Sequence, residues 1–597
     1  MLGQPTSTRF VFSRRLCLTL CAVALALTSV AYIRYGVTAQ NRTPRATPDG
    51  PDTREQPVPH QTGNAAAGRD VFRFETFGNE GFWTDAVRLP KGVKKAKLTP
   101  VQALKAGLHV DVEALDSATQ QAVAAELKTD LSPKNAPLLN DPKTTMKLLE
   151  ANAVIGMVAK DSDGDGVINL AKGDKVGASC ALCHTITDQS VFDLPNGGSI
   201  GRRLDGRATH RINIGAIFAM ADNSRALYPV LQLSLKANGD KTIGRAPKGL
   251  TEKSSEKEVD AYLSNPAFYP VGMFDDSFDG NGDPMHNTPL FRQDLAFPFG
   301  SEGAIAKLDN FSNLVYTGLF DQTTLTTPGG RAFLHKLGGA AGDEIADDYV
   351  KILKDTGVKG YPFVKATAHP MPGSEEAPLG VRVDNAKLLD MSAYLDSLPA
   401  PAGMNGNAEA IARGRQSFRT VGCTACHNVD QSKFVPPFIV PMKTIFPGDS
   451  PVVLAQREPP LNPVLNTAGN IFDDKMVIVN ASLRGEERGT ALPLLLDLAR
   501  KPVFLHDNSV PTLDNLLSPS RGATAPHPFY LTEASQRADM IEFLRSLDTD
   551  SSSKTMRTSV NPPAKTSGVF GWSGLLSSLR GWLCSSSGAP LANACPE

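Results

Sequence analysis

The sequence predicts a mainly α-helical fold in which two units follow the same plan and the first unit is enlarged. Each unit has an amphipathic segment near its start, a short motif of two cysteines and a histidine, a long middle rich in loop residues, and an amphipathic segment at its end. Apolar side chains in the closing segments recur every three or four residues, which is the period of a helix. Both ends of the chain have compositions that do not support a packed core.

The first 39 residues have the composition of an export signal. Arg9, Arg14 and Arg15 precede an apolar run over 16–33, and small residues after it offer candidate cleavage sites. The run is also about long enough to span a bilayer if it is not cleaved. A cleaved signal peptide and an uncleaved membrane anchor both remain open. Either one would place the body of the chain outside the cytoplasm, for example in the periplasm.

Segments 40–69 and 549–597 are expected to be a disordered linker and a low-complexity tail. The linker has few large apolar residues, so it cannot bury enough apolar surface to offset the entropy of folding. The tail is rich in Ser, Thr and Pro over 549–567, and its short apolar stretch over 569–584 leaves open a surface-lying or docking helix and a disordered tail. The whole chain has 61 basic and 62 acidic residues. Such a balanced charge gives no indication of nucleic-acid binding.

Between these segments we expect a first unit over 70–400 and a second unit over 405–548. In the first unit, 144–158 is expected to be helical, and the closing helix is capped by Asp384 and stopped by Pro399. In the second unit, helices are expected over 407–420 and 532–547, the latter with Thr532 as N-cap. The expected apolar faces of the closing helices are Leu388, Met391, Leu395 and Leu398 in the first unit, and Ala538, Ile541, Leu544 and Leu547 in the second.

The pattern Cys-x-x-Cys-His occurs once in each unit and is the pattern that attaches haem covalently. At this Cys and His content, chance alone predicts on the order of 0.002 matches in the chain. Two thiols one helical turn apart can bond to the two vinyl groups of one porphyrin, and the adjacent imidazole can bind the iron. The motifs, called here the first and second clips, are Cys180, Cys183 and His184, and Cys423, Cys426 and His427.

A Cys-x-x-Cys pair has two other common uses. A zinc site would need a second Cys or His pair nearby, and the sequence has none close to either clip. A thioredoxin-like dithiol would sit at the end of a strand that opens a helix, where neither clip is expected to lie, and it would leave the histidine unexplained. The plan of helix, clip, loops and closing helix therefore predicts two cytochrome c-like haem domains with long loops, each holding one haem c.

The run Phe504-Leu-His-Asp-Asn-Ser-Val-Pro-Thr-Leu513 resembles a segment of the bacterial di-haem cytochrome c peroxidase superfamily, which includes the larger di-haem rubber oxygenases. The resemblance implies that His506 is the distal ligand of the second haem, opposite His427, and that the first haem is the more reactive one. Met442 and Met476 are the competing sixth ligands by residue type. Asn508 stands where the family usually has Gly, and Asn tolerates the positive φ of that turn. The length of the first unit favours the oxygenase-like branch.

The distal ligand of the first haem is left open. The candidates are His210, His286, His335 and His369, or no protein ligand at all. An open iron face could bind peroxide or dioxygen, whereas a filled one only passes electrons. Three nearby arginines could pair with haem propionates or simply be solvated, namely Arg202, Arg203 and Arg207. Family enzymes commonly place a Trp between the haems, and Trp83 is the one candidate, with core packing as the alternative.

Asp161, Asp163 and Asp165 match the first half of an EF-hand calcium loop, with Gly166 at the turn position. The bidentate Glu expected at position 12 is replaced by Lys172. A calcium site and a hydrogen-bonded Asx turn are the two interpretations.

Two functions follow from these expectations. The first is an extracytoplasmic di-haem oxidoreductase that transfers electrons and reduces peroxide or activates dioxygen at the first haem. The second is a pure electron carrier in which both irons are six-coordinate. Either function implies a redox partner protein, and neither involves nucleic acid. The catalytic residues stay unassigned, because spacing alone ties no carboxylate or histidine to the iron face.

Overall fold

The fold was taken from a computed structural model of the chain. It describes residues 62–242, 244–282, 284–296, 299–300, 305–423, 427, 439–440, 490–491, 494–505, 508, 510–521 and 530–548. The predicted signal or anchor and the predicted tail lie outside these residues, as do Cys426, His506, Met442 and Met476.

Helices account for most of the regular structure. The α-helices are α1 Ala65–Phe74, α2 Leu89–Ala96, α3 Pro100–Lys105, α4 Ser117–Glu126, α5 Pro142–Glu150, α6 Ala181–His184, α7 Ile214–Phe218, α8 Glu256–Leu263, α9 Leu308–Leu314, α10 Pro328–Gly338, α11 Ala340–Asp355, α12 Asn385–Ser397, α13 Ala408–Val421, α14 Leu513–Leu516 and α15 Ala534–Ser546. Five-residue π-helices occupy Phe82–Ala86 and Val315–Leu319. Short 3-10 helices occupy Val112–Ala114, Ser224–Val230, Lys236–Asn238, Gln293–Leu295, Gln322–Thr326 and Pro519–Arg521.

The strands are short and form small separate sheets. They are β1 Val110–Asp111, β2 Met157–Lys160, β3 Lys175–Ala178, β4 Thr185–Thr187, β5 Phe192–Asp193, β6 Ser199–Gly201, β7 Arg203–Asp205, β8 Met273–Phe274, β9 Met285–His286, β10 Ile439–Val440 and β11 Thr490–Ala491. Strand β6 pairs in parallel with β1 and antiparallel with β5, and β2–β3, β4–β7, β8–β9 and β10–β11 are antiparallel pairs. The prediction of a mainly α chain is confirmed for the described residues.

In the first unit the opening helix α1 packs across the closing helix α12. A methyl group built on Gly68 would lie 1.9 Å from the carbonyl oxygen of Asp390, so only glycine permits this approach. Asn64 caps α1 by accepting hydrogen bonds from the amides of Ala66 and Ala67. The predicted linker boundary at residue 69 is therefore wrong, because the helix already begins at Ala65.

The second unit repeats this crossing with α13 and α15. A methyl group on Gly414 would lie 2.0 Å from the carbonyl oxygen of Asp539. Beside the glycine, the rings of Phe418 and Phe543 pack edge to face with centroids 5.5 Å apart. Each unit therefore holds its opening and closing helices together at one glycine.

The helix predicted over 144–158 is shorter than expected. It spans Pro142–Glu150, and the chain turns at Asn152 and Gly156, which have φ angles of 54° and 82°, before it enters β2. The apolar residues after position 152 therefore belong to a turn and a strand. The residues over 153–159 form a continuous buried run, which carries no helical period.

The predictions for the closing helices are partly confirmed. Asp384 caps α12 as expected, and Leu388, Met391 and Leu395 are buried. Leu398 lies after the helix in an extended conformation.

In α15 the N-cap is Glu533 and not Thr532, because Arg537 donates to the carbonyl oxygens of residues 531 and 532 and keeps the chain extended there. The predicted face is confirmed at Leu544 and Leu547, which are buried, and is wrong at Ala538, which is exposed. Met540 and Phe543 are buried as well, and the Phe543 ring packs on Phe418 of α13.

The buried apolar side chains of the described residues fall mainly into two clusters. One extends from Val71 to Leu395 and the other from Phe418 to Leu547. A small third cluster, which contains Phe291, Ala400 and Leu496, lies where the units meet. In the part of the chain that the structure describes, no helix is both long and apolar enough to cross a membrane.

Candidate haem centre

The first clip forms the helical turn α6, which directly follows β3, so the expectation that neither clip lies at the end of a strand opening a helix is wrong for the first clip. The Asn79 side chain accepts from the amide of Ala178 and donates to its carbonyl oxygen, both at 2.8 Å. On the other side, Leu182 packs so closely on Gly156 that a methyl group there would lie 2.1 Å from the Leu182 Cα. These contacts fix the single helical turn that carries Cys180, Cys183 and His184.

The His184 imidazole is oriented by a backbone carbonyl. Its Nδ1 lies 2.7 Å from the carbonyl oxygen of Thr288. A carbonyl oxygen only accepts, so Nδ1 carries the proton and Nε2 keeps its lone pair. Burial lowers the pKa of His184 to about 4, and the bond to Thr288 opposes this only in part. The ring is therefore neutral at pH 7, which is the form and orientation that a metal-ligating histidine requires.

The two cysteines of this clip are protonated thiols. Burial raises the pKa of Cys180 to about 11 and that of Cys183 to about 12, where the charge of the neighbouring Cys180 thiolate adds to the effect. The Sγ of Cys180 lies 3.4 Å from the hydroxyl oxygen of Tyr316, which is completely buried in a π-helix. Such thiols are poor redox nucleophiles and poor zinc ligands. Of the described residues, only Asp161, Asp163 and Asp165 form a group of three with metal-ligand spacing, so no third zinc ligand adjoins the clip.

The candidate distal histidines fall into two groups. His335 is exposed and pairs with Asp343 at 2.9 Å, and His369 is also exposed. His210 and His286 instead lie next to the first clip: the amide and hydroxyl of Thr209 both bond the carbonyl oxygen of Cys183, and His286 is two residues before Thr288. Among the described residues, Nδ1 of His210 is buried with no hydrogen-bond partner. The structure therefore brings two of the four candidates near the first clip.

The three arginines expected near a haem edge have separate partners. Arg203 is buried and pairs with Asp111 at 2.5 Å, so it belongs to the core. Arg202 is exposed, and its Nε lies 3.5 Å from Glu113. Arg207 pairs with Asp497 of the second unit at 3.1 Å.

Trp83 is buried among Phe82 and Phe218, with ring centroids 5.4 and 5.5 Å away. These partners and Trp83 all belong to the first unit. The packing interpretation therefore fits Trp83 better than a relay between the units.

The second clip is described in part. Helix α13 ends at Gly422 with a φ of 96°, and Cys423 follows directly and is buried. The amide of His427 donates to the carbonyl oxygen of Cys423 at 2.9 Å, as in a helical turn. Near the predicted distal ligand, Phe504 and Val510 form a bridge, and Asn508 has a φ of 59°. The positive φ expected for Asn508 is thus observed, while His506 itself lies outside the described residues.

The Asp161–Gly166 loop is exposed, and its carboxylates accept backbone hydrogen bonds. Asp161 accepts from the amides of Gly164 and Gly166 at 2.6 and 2.8 Å. Asp163 and Asp165 each accept from the amide two residues ahead. One oxygen of each of the three residues lies within 4.8 Å of the others. The geometry is that of consecutive Asx turns, and it contains no feature that itself points to calcium.

The residues that sequence reasoning missed are the partners of the clip. Thr288 and Tyr316 are 104 and 136 positions away from the residues they contact. One signal for Thr288 was present: it precedes Pro289, which favours an extended residue with its carbonyl outside any helix.

Comparison with known proteins adds little. No protein-family model matches the chain, and no curated protein matches it. A chain of hydrazine synthase from Kuenenia stuttgartiensis, studied under 20 bar of xenon, is similar at 15% identity over 46% of this chain and 75% of that one. The TM-score is 0.21.

Proposed function

We propose that this protein is an extracytoplasmic di-haem c-type cytochrome that transfers electrons and reduces peroxide or activates dioxygen at the first clip. The observation that supports it most directly is the His184 imidazole, which is neutral and bonded through Nδ1 so that Nε2 is available to a metal. The thiols beside it are protonated, as thioether formation permits. A bound haem would supply one-electron iron chemistry.

The residues of the clip would have separate tasks. Cys180 and Cys183 would hold the porphyrin, and His184 would bind the iron. The Thr288 carbonyl would keep the imidazole in one tautomer and make it a stronger donor. In the second unit, Cys423, Cys426 and His427 would do the same, with His506 as the distal ligand suggested by the resemblance to the di-haem peroxidase and rubber oxygenase superfamily. Calcium at the Asp161 loop is the optional part of this proposal.

Covalent attachment of haem to the two clips is tested by the mass of the denatured protein and by haem staining on a gel. We expect a mass that exceeds the polypeptide by two haems. Replacing both cysteines of one clip by Ser should remove one of them. A mass equal to that of the bare polypeptide would refute the proposal.

The pure electron carrier is the second candidate, and the position of His210 and His286 next to the first clip favours it. Optical and electron paramagnetic resonance spectra with cyanide or carbon monoxide separate the two functions. A ligand that binds one iron supports the oxidoreductase, whereas two irons that bind neither ligand in any redox state support the carrier. Replacing His506 by Ala should make the second haem high-spin, and an unchanged spectrum would exclude His506 as its ligand.

A further inference from the structure

A segment of the second unit, residues 494–505, lies against the first unit near the first clip. Arg207 of the first unit pairs with Asp497 of this segment at 3.1 Å. Leu496 belongs to the same small apolar cluster as Phe291. Lys501 also contacts the first unit, and its Nζ lies 3.3 Å from Nε2 of His286. The second unit therefore contributes an amine to the surroundings of the first clip.

The charges at this contact do not balance. Asp497 accepts from Arg207 with one carboxylate oxygen and from Arg500 with the other. Among the described residues, no carboxylate lies within ion-pair distance of Lys501. Its partner is an imidazole, and because an ammonium group only donates, Nε2 of His286 must be an unprotonated acceptor. The group of three cations and one carboxylate thus carries two excess positive charges.

Burial makes this arrangement unfavourable in the protein alone. It lowers the pKa of Lys501 to about 8, and it lowers that of His210 to about 4, where the charge of Lys501 adds to the effect. A cation taken out of water needs an anion or a set of strong acceptors to offset the loss of hydration. A single imidazole supplies one neutral acceptor.

We infer that Lys501 pairs with a propionate carboxylate of the haem held by the first clip, so that a residue of the second unit completes the haem site of the first. This inference depends on the proposed haem attachment. His184 contacts Thr288, His286 lies two residues before Thr288 at the end of β9, and His286 contacts Lys501, so the amine lies in the vicinity of the proximal ligand. Two ionised propionates carry the charge that would neutralise the excess of the cluster.

A cation beside a propionate favours the reduced haem, because the oxidised haem carries one more positive charge. Removing the charge of Lys501 should therefore lower the midpoint potential of the first haem. The second haem should be affected less, since the contacts of Lys501 lie at the first clip.

The test uses purified holoprotein in which the mass confirms two attached haems. Spectroelectrochemical titrations compare K501Q and K501R with K359Q, which removes an equal charge from an exposed position. The signal of the first haem is the one that disappears when Cys180 and Cys183 are replaced by Ser. We expect K501Q to lower the reduction equilibrium constant of that haem at least tenfold, or about 59 mV, and the other two variants to change it less than twofold.

Resonance Raman spectra give a second readout. K501R, which keeps the positive charge, is informative here as well as K501Q. The propionate bending mode of the first haem should shift in both K501Q and K501R, because a guanidinium donates with a different geometry. With both haems attached, unchanged potentials and unchanged propionate modes would overturn the inference. So would a shift confined to the second haem, or a change of spin state in K501Q, which would mean that the amine binds the iron. Protein that carries no haem would instead refute the proposed function.

Discussion

Replacing Gly414 by Ala should destabilise the second unit, because the crossing of α13 and α15 has no room for a methyl group. The added Cβ would lie 2.0 Å from the carbonyl oxygen of Asp539, whereas ordinary contact begins at 3.4 Å. The helices must then separate by more than an ångström, which also disturbs the Phe418–Phe543 ring pair. Overpacking costs about 1–3 kcal/mol and a disturbed aromatic pair about 0.5–1.5 kcal/mol, offset by roughly 0.5–1 kcal/mol of helix propensity. We expect a net loss of about 1–3 kcal/mol.

Differential scanning calorimetry of the holoprotein measures this loss, with G68A as the equivalent change in the first unit. G338A is the matched control, because a methyl group there meets only the Ala341 Cβ at 3.7 Å. The melting temperature of the affected unit should fall by several degrees in G414A and G68A, at about 2–4 °C per kcal/mol, and should stay the same or rise slightly in G338A. If G414A melted like G338A, the close helix crossing would be wrong.

Two further predictions concern titration and calcium. Burial lowers the pKa of His109 to about 4, and its Nδ1 accepts from the Ser199 amide at 3.1 Å. In the unfolded chain the His109 imidazole binds a proton near pH 6.5. The contribution of neutral His109 to the free energy of unfolding is therefore fully present above pH 6.5, and the free energy of unfolding should fall by about 3 kcal/mol as the pH drops to 4. Urea unfolding at pH 7 and 4.5 should show a smaller acid loss in H109N, whose Oδ1 keeps the acceptor, and an equal loss would exclude His109 as its source. For the Asp161 loop, the Asx-turn interpretation predicts a melting temperature that is the same in calcium and in chelator. A rise with calcium that D161N abolishes would establish a cation site instead.

The sequence was sufficient for features that are local in the chain. Asp384 and the apolar spacing behind it located α12, because capping and periodicity depend on residues a few positions apart. The positive φ of Asn508 was predictable for the same reason. The opening helix α1 was missed because its first residues, Ala65 to Ala67, have no large apolar side chains, and helices this short are stabilised by what they pack against.

In the candidate site, too, the sequence predicted the local features and not the contacts between residues that are distant in the chain. The motifs identified the cysteines and histidines of the clips, but not the groups that position them. Thr288 is 104 residues from His184, and Lys501 is 215 residues from His286. Such pairs are set by how the chain returns on itself, which propensity and spacing do not encode.

About half of the enlargement of the first unit lies between its opening helix and its clip. In the second unit α13 runs through Gly422 directly into Cys423. In the first unit about a hundred residues, 75–178, lie between the end of α1 and the clip, and they contain α2 to α5 and the β2–β3 pair.

The two ends of this segment lie close together, at the last turn of α1. The hydroxyl of Ser179, the residue before the clip, donates to the carbonyl oxygen of Arg73 in the last turn of α1 at 2.8 Å. With the segment removed, α1 would lead into its clip as α13 does, and each would cross its closing helix at a glycine. The extra residues are therefore an insertion between the opening helix and the clip. Its return to α1 is what lets an enlarged unit keep the geometry of a small one.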